Sequence, residues 1–169
     1  MKTDYLTVGN MIEQLKLNNI PLKLFNTEKR TKEIFTPLSG KEVRMYTCGP
    51  TVYHYAHIGN FRTYIFEDLL RRTLKFFGYH VKQVMNLTDV DDKTIKGAIA
   101  KNITLEEYTK PFIQAFFDDL KSLNIEPAEE YPAATSYIQD MIQMIQVLIE
   151  KGFAYKGGDG SIYYSIRHF

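Results

Sequence analysis

Residues 47–62 are of types that can do chemistry. This stretch reads TCGPTVYHYAHIGNFR and holds the only cysteine of the chain, Cys48, together with the histidines His54 and His57. A cysteine thiol can act as a nucleophile when a histidine serves as its base, or as a zinc ligand when further donors lie near it. The sequence offers no Cys-x-x-Cys pair and no histidine-rich cluster. Spacing alone therefore favours a structural role for Cys48, as a small apolar residue at a strand end.

The phrase His-Ile-Gly-Asn at residues 57–60 leads directly into an apolar helical pattern. At a helix N-terminus, free backbone N–H groups and the positive end of the helix dipole favour phosphate. Gly59 lets a bulky ligand approach the backbone, and His57 and Asn60 lie on one side of the first turn, where both can donate hydrogen bonds. A lone histidine near a helix start is more often a cap or a surface residue. Its place between a strand and a helix strengthens the case for phosphate binding.

A second polar phrase, NLTDVDDK at residues 86–93, contains three aspartates. Taken alone, the phrase favours helix capping, an ion pair of Lys93 and a solvated surface. A magnesium site is the weaker alternative. The phrase does not match a calcium loop, because the glycine and the distal glutamate of such a loop are absent.

Hydrophobic periodicity predicts the elements that position these phrases. Residues 43–48 alternate as a strand does, and residues 58–77 carry the two apolar stripes of a helix that is largely buried against a sheet. Gly78 stops that helix, and residues 79–87 form another strand. Strand, helix and strand in this order predict a right-handed parallel βαβ unit. The first phrase then lies at the carboxyl end of a parallel strand, where α/β proteins bind ligands.

The flanking segments predict further elements. Residues 22–25 alternate as a strand does, and Asp91-Asp92 are placed to cap a helix. Thr104 begins a capping box for a helix that runs to residue 123, in which Pro111 predicts a kink or a late start. A further helix is expected over residues 135–151, and a β-hairpin over residues 153–166.

Composition limits the class of protein. The chain has 169 residues, of which 44% are hydrophobic and 24% charged, as in a globular domain. A net charge of +1 gives no general attraction to nucleic acid. The single cysteine excludes an intrachain disulfide, and no apolar run reaches the length of a membrane span. Residues 1–21 lack a signal-peptide pattern. We therefore expect a cytoplasmic protein. Residues 1–21 are typical of an N-terminal extension, with a short helical pattern at residues 11–17.

Together these phrases resemble the cysteinyl-tRNA synthetases. The motifs that carry the resemblance are YTCGPTVY at residues 46–53, HIGNFRT at residues 57–63 and NLTDVDDK at residues 86–93, with the shorter phrases FNT at residues 25–27 and PAAT at residues 132–135. They occur in the family's order and at its spacing, from about residue 22 to the end of the chain.

The resemblance implies an α/β fold: the N-terminal half of a class I synthetase Rossmann domain. It implies an N-terminal extension over residues 1–21 and a first Rossmann half with following helices over residues 22–123. Residues 124–169 would form a helix and hairpin that begin the connective insertion. The implied activity is ATP-dependent activation of L-cysteine to cysteinyl adenylate, followed by transfer to tRNA(Cys) in translation. ATP would come with Mg, and His57, Gly59 and Asn60 would bind it, with His57 and Asn60 catalytic.

The same resemblance implies that Cys48 is one ligand of a zinc ion that binds the substrate thiolate, with the other ligands outside this chain. Zinc would separate cysteine from serine, because a hydroxyl is a poor ligand for it at neutral pH. Gly49, Thr51 and Thr88 would line the cysteine pocket with Cys48. We expect Cys48 and His57 to lie side by side at one edge of the sheet.

Two departures from the family pattern matter. Asn60 stands where the family often has a second histidine, so that position cannot become cationic. The family's second Rossmann half, lysine-rich loop and anticodon-binding helices are absent from these residues. We therefore expect the fragment alone to be inactive, to hold no zinc at Cys48, and to self-associate through apolar surface on the helix of residues 58–77, whereas the full-length enzyme would be a monomer. The alternatives are the cysteine ligase of mycothiol synthesis and a non-catalytic nucleotide-binding paralogue.

Overall fold

The structure is a computed structural model that describes residues 21–168. The predicted extension over residues 1–21 and its helical pattern lie outside the described residues, apart from residue 21. The described strands are β1 (Lys23–Asn26), β2 (Thr31–Ile34), β3 (Glu42–Thr47), β4 (His80–Met85), β5 (Ala154–Lys156) and β6 (Ile162–Tyr164). The described α-helices are α1 (Ile58–Phe76), α2 (Asp92–Lys101), α3 (Leu105–Ser122) and α4 (Ile138–Glu150), and short 3-10 turns occupy Ala134–Tyr137 and Ile166–His168.

Strands β3 and β4 pair in parallel, with α1 between them in the chain. Glu42 lies opposite His80 and Thr47 opposite Met85, so both strands end at the same edge of the sheet. The predicted parallel βαβ unit is confirmed. Strands β1 and β2 form a separate antiparallel pair. The sequence analysis predicted β1 but not β2, because the phrase Thr-Lys-Glu-Ile has a single apolar residue and shows no alternation.

Residues 129–134 extend the parallel sheet beyond β4. Val84 bridges Glu130 and Leu87 bridges Ala133, both in parallel, and the Met85 N–H donates to the Glu130 carbonyl at 3.1 Å. Helices α2 and α3 therefore lie within a second crossover, which the sequence did not predict. The proposed division between residues 123 and 124 stays a prediction.

Helix α1 buries one face rather than two. Phe61, Tyr64 and Leu74 are almost fully buried. Each of the two apolar stripes predicted from the sequence is covered only in part: Leu69 of the first stripe is 60% exposed and Phe66 of the second is 65% exposed, whereas Phe61 of the first and Leu74 of the second are buried. The prediction of a largely buried helix is wrong, because the covered face consists of Phe61, Tyr64, Glu67, Arg71 and Leu74 and includes only one member of each stripe. The expectation of exposed apolar surface on this helix is met.

The core lies between α1, α3 and the strand ends. Its main cluster is Val52, Phe61, Tyr64, Met85, Leu87, Phe116, Leu120 and Ile125. A smaller cluster of Val43, Leu74 and Val81 lies towards the other end of the sheet. This packing fixes the end of β3 and the start of α1, and so the loop between them.

The remaining helices differ from prediction at their starts. Helix α3 begins at Leu105 under a capping box of Thr104 and Glu107, so the late start suggested by Pro111 is wrong and the proline lies inside the helix. Helix α4 begins at Ile138 rather than residue 135, because Ala134–Tyr137 form a 3-10 turn. The β5–β6 hairpin is confirmed. Within residues 21–168, no helix is both long and apolar enough to cross a membrane.

Candidate functional site

A pocket of about 270 Å³ opens in the loop between β3 and α1, at the carboxyl end of the parallel strands. Its lining residues are Gly49, Pro50, Thr51, Val52, Tyr53, His54, Tyr55, Ala56, His57, Asn60, Tyr64, Phe112 and Phe116. The structure thus brings together four residues predicted from the sequence: Gly49, Thr51, His57 and Asn60. The predicted residues Cys48, Gly59 and Thr88 adjoin these positions without lining the pocket.

His57 and Asn60 cap the first turn of α1 reciprocally. His57 Nδ1 accepts a hydrogen bond from the Gly59 N–H at 3.0 Å, and Asn60 Oδ1 accepts one from the His57 N–H at 3.1 Å. Because Nδ1 is an acceptor, a neutral His57 ring carries its proton on Nε2. Because Asn60 uses its oxygen, its amide N–H groups stay free to donate. The capping box therefore turns both residues into hydrogen-bond donors at the positive end of the helix.

Gly59 allows this arrangement sterically. A Cβ atom at Gly59 would lie 2.9 Å from His57 Cε1 and 3.0 Å from Nδ1. A side chain here would push the imidazole off the helix end. Gly59 is thus required by the cap of His57, a reason that the sequence alone did not give.

Gly49 is held against the end of β4. A Cβ at this position would lie 1.8 Å from the Asn86 carbonyl oxygen, and the Gly49 N–H donates to Asn86 Oδ1 at 3.0 Å. The next turn of the loop is tied to Thr88, whose N–H donates to the Pro50 carbonyl at 2.9 Å and whose carbonyl accepts from the Val52 N–H at 3.0 Å. These bonds place Thr88 directly beside the pocket loop.

Cys48 is exposed at the end of β3, next to the lining residue Gly49. The sequence-based preference for a buried cysteine is therefore wrong. His54 Nδ1 hydrogen-bonds with the Tyr55 carbonyl, and His57 Nδ1 accepts from the Gly59 N–H. Because these bonds do not involve Cys48, the geometry gives no support to a Cys–His nucleophile. Among residues 21–168, no group of three or more His, Cys, Asp or Glu side chains could hold a metal ion. Cys48 alone does not make a tetrahedral zinc centre.

Two buried titratable groups lie behind the strand end. Burial raises the pKa of Glu67 to about 7, and a hydrogen bond with Thr47 opposes the shift. Burial, followed by the charges of Glu67 and Cys48, raises the pKa of Tyr64 to about 12. Tyr64 also lines the pocket. Glu67 was not predicted as a buried residue, because the face of α1 on which it lies also carries Arg71 and shows no apolar stripe in the sequence.

Two of the three aspartates of residues 86–93, Asp89 and Asp91, have structural partners. Asp89 accepts from the Thr135 N–H at 2.9 Å, and Asp91 caps α2 by accepting from the Lys93 and Thr94 N–H groups. The capping prediction is confirmed. The predicted ion pair of Lys93 is wrong, because its ammonium lies 4.5 Å from the centre of the Tyr53 ring instead.

Aromatic side chains form part of the pocket wall. The His54 ring stacks on Phe112 with centres 6.2 Å apart, and Tyr55 meets Phe112 edge-on at 5.0 Å. The sequence analysis gave none of these rings a place in the pocket wall, since Phe112 fits the apolar stripe of α3 as a core residue. The run Tyr-His-Tyr before residue 56 was the available signal.

Comparison with known proteins agrees with this geometry. Residues 34–169 match the family described as tRNA synthetases class I (C) catalytic domain. The chain is 70% identical over 153 residues to the cysteine–tRNA ligase of Protochlamydia amoebophila, covering 90% of this chain and 32% of that protein. It is 61% identical over 158 residues to the cysteine–tRNA ligase of Chlamydia felis, covering 94% of this chain and 33% of that protein. The chain therefore spans about a third of the length of these curated relatives.

The fold is shared with more distant synthetases. The LeuRS of Agrobacterium radiobacter, solved as a LeuRS–tRNA–LeuAMS ternary complex, superposes with a TM-score of 0.59 at 21% identity, covering 71% of this chain and 16% of that one. At this identity the likeness concerns the fold alone. The family match covers most of the chain, and the parallel βαβ unit with its histidine-capped helix agrees with it. The chain belongs to the family of class I tRNA synthetase catalytic domains of the cysteinyl type.

Proposed function

We propose that this chain is part of a cysteine–tRNA ligase. In the first step of that reaction, a carboxylate oxygen of L-cysteine attacks the α-phosphorus of ATP, and pyrophosphate leaves. In the second step, a ribose hydroxyl of tRNA(Cys) attacks the carbonyl carbon of cysteinyl adenylate, and AMP leaves. The observation that carries the proposal is the pair of hydrogen-bond donors, His57 and Asn60, that the cap of α1 presents at the pocket.

His57 and Asn60 would hold the phosphates of ATP. The His57 Nε2–H and the Asn60 amide donate hydrogen bonds to phosphate oxygens, and the helix dipole adds a favourable potential. Asn60 is neutral, so it stabilises developing charge by hydrogen bonding alone. Magnesium bound to ATP would neutralise part of the phosphate charge. Gly59 keeps the helix end open and the imidazole in place.

Cysteine would bind at the carboxyl end of β3. Gly49 and Thr51 line the pocket, Thr88 adjoins it through backbone hydrogen bonds, and the Cys48 thiol follows the strand. We propose Cys48 as a single zinc ligand, with the other ligands outside this chain. The described residues do not complete a zinc site, so selection of cysteine over serine would depend on those further ligands.

A chimera tests the proposal. The matching segment of the Protochlamydia amoebophila ligase is replaced by this chain, and ATP–pyrophosphate exchange is measured with cysteine and with serine. We expect exchange with cysteine, little with serine, and charging of tRNA(Cys). A folded chimera without cysteine-dependent exchange, beside an active parent enzyme, would overturn the proposal.

The same chimera separates the alternatives. A cysteine ligase of mycothiol synthesis would activate cysteine but would not charge tRNA, and a nucleotide-binding paralogue would do neither. The relatives named above favour neither alternative. A role in translation also leads us to propose the cytoplasm as the location and a monomer as the state of the full-length enzyme.

A further inference from the structure

Five aromatic rings form a continuous cluster beside the pocket. This aromatic cluster consists of Tyr53, His54, Tyr55, Tyr108 and Phe112. Adjacent ring centres lie 6.5 Å apart for Tyr53 and His54, 5.9 Å for His54 and Tyr55, and 5.5 Å for Tyr108 and Phe112. Tyr53 and Tyr55 are 38% and 56% exposed. Rings that served only to fill a core would be covered, whereas these leave ring surface open to a ligand.

Helix α2 is fitted closely against this cluster. A Cβ atom at Gly97 would lie 2.2 Å from the Tyr108 ring, so only glycine allows the ring to pack there. The Tyr108 hydroxyl donates to the Tyr53 carbonyl at 2.9 Å, which links α3 to the pocket loop. Together these contacts make one rigid surface from three separate segments.

Two lysines of α2 lie over the rings. The Lys93 ammonium is 4.5 Å from the centre of Tyr53, and the Lys101 ammonium is 5.2 Å from the centre of Tyr108. Among the described residues, no carboxylate pairs with either lysine within 4.0 Å. Two nearby carboxylates, Asp91 and Glu107, are engaged in capping α2 and α3. Both ammonium groups thus remain available to an anionic ligand.

We propose that the aromatic cluster, with Lys93 and Lys101, binds the single-stranded 3′ end of the tRNA. The inference rests on the proposed function, which requires an RNA strand to bring a ribose hydroxyl to this pocket. Unpaired bases stack on exposed aromatic rings, and their phosphates pair with nearby ammonium groups. A duplex hides its base faces, and the carboxylates of an acidic peptide would pair with the lysines but would not stack on the rings. Lys93, Lys101 and Tyr108 lie outside the pocket lining, so ATP in the pocket does not account for them.

The test uses this chain and a short fluorescein-labelled single-stranded RNA that ends in CCA, with binding followed by fluorescence anisotropy. We expect saturable binding that weakens with salt. Replacing both lysines, K93Q with K101Q, reduces the slope of log K against log salt by about 0.7 per lysine. A matched pair of exposed lysines outside the surface, K151Q with K156Q, leaves the slope unchanged. The variant Y53L weakens binding at least about fivefold, and Y53F retains it, because the phenylalanine ring still stacks.

Three results would overturn the inference: no saturable binding, equal slopes for the two lysine pairs, or equal affinity for a blunt RNA hairpin. Circular dichroism of each variant shows that the fold is intact. A calorimetric titration of the unchanged chain with ATP reports on the nucleotide pocket separately. If the chain binds ATP but not RNA, this inference alone is wrong. If it binds RNA but not ATP, the result counts against the nucleotide site of the proposed function.

Discussion

Glu67 is a buried acid at one end of a network of polar side chains behind β3. It is 9% exposed, and its Oε2 atom has no hydrogen-bond partner among the described residues. Thr47, the residue before Cys48, accepts from Gln83 Nε2 at 3.0 Å and bonds to the Glu67 carboxyl. Gln83 in turn accepts from Arg71 at 3.3 Å. These polar side chains link the end of β3 to α1 and β4 by hydrogen bonds rather than by apolar packing.

The raised pKa of Glu67 predicts a pH-dependent stability. Its pKa rises from an ordinary 4.5 to about 7 on folding, so the native state keeps a proton that the unfolded state loses between these values. The contribution of Glu67 to stability therefore falls as pH rises through this window. E67Q, which stays neutral, should gain about 1–3 kcal/mol over the unchanged protein at pH 8 and nothing at pH 4.5. Urea unfolding at both pH values measures it. If the difference in free energy of unfolding between E67Q and the unchanged protein is the same at both pH values, Glu67 does not have a raised pKa in the native state.

Gly49 predicts a large steric effect. In G49A, the new Cβ would lie 1.8 Å from the Asn86 carbonyl oxygen, so the loop must move away from β4. We expect a loss of about 3 kcal/mol or more in the free energy of unfolding. The control is G158A, whose Cβ would meet nothing within 4 Å and should change stability little. Similar unfolding midpoints for the two variants would contradict the close approach of Gly49.

At the scale of elements, sequence periodicity predicts the helices well and their surroundings less well. Both stripes of α1 are apolar in sequence, but a stripe does not say which partner covers it, and here only Phe61 of one stripe and Leu74 of the other are buried. Residues 129–134 pair with β4 although they show no strand pattern, since the pairing depends on neighbouring backbone. The phrase at residues 57–60 predicts hydrogen-bond donors at the start of a helix. The structure adds that His57 Nδ1 and Asn60 Oδ1 accept the capping hydrogen bonds, which leaves His57 Nε2 and the Asn60 amide nitrogen to donate.

The capping role of His57 can be separated from its donor role. In H57A, α1 loses its side-chain cap, and we expect a loss of about 1 kcal/mol in stability. In H57N, asparagine can cap the same helix end, so stability should stay within about 0.5 kcal/mol of the unchanged protein. Thermal or urea unfolding of the two variants checks this difference. If H57A and H57N lower the stability equally, asparagine does not replace the capping hydrogen bond of His57, and the expectation is wrong.

At the scale of the whole molecule, α1 and α4 each expose apolar side chains. Phe66 and Leu69 of α1 are exposed, and in α4 Met144 is 67% and Val147 45% exposed. Exposed apolar faces of this kind are typical of surfaces that contact another protein segment. Most proposed site residues could be predicted from the sequence, since they form short continuous phrases. The aromatic cluster could not, because its rings come from a loop and from α3 and meet only in the fold.

The open face of α1 predicts self-association of this chain. Light scattering should give an apparent mass that rises with protein concentration. The double variant F66E with L69E places charge on that face and should shift the chain towards a monomer without lowering its stability by more than about 0.5 kcal/mol. A chain that is monomeric at every concentration and binds no apolar dye would contradict this expectation.

The central claim is that the donors presented by the cap of α1 hold ATP for the activation of cysteine. Cysteine-dependent ATP–pyrophosphate exchange in the chimera, measured with His57 and with H57N, tests it most directly, because asparagine preserves the cap but removes the imidazole Nε2–H. We expect H57N to reduce exchange at least about a hundredfold while the chimera stays folded, because the shorter asparagine amide does not place a donor where the imidazole Nε2–H lies. Exchange that is unchanged in H57N would contradict it.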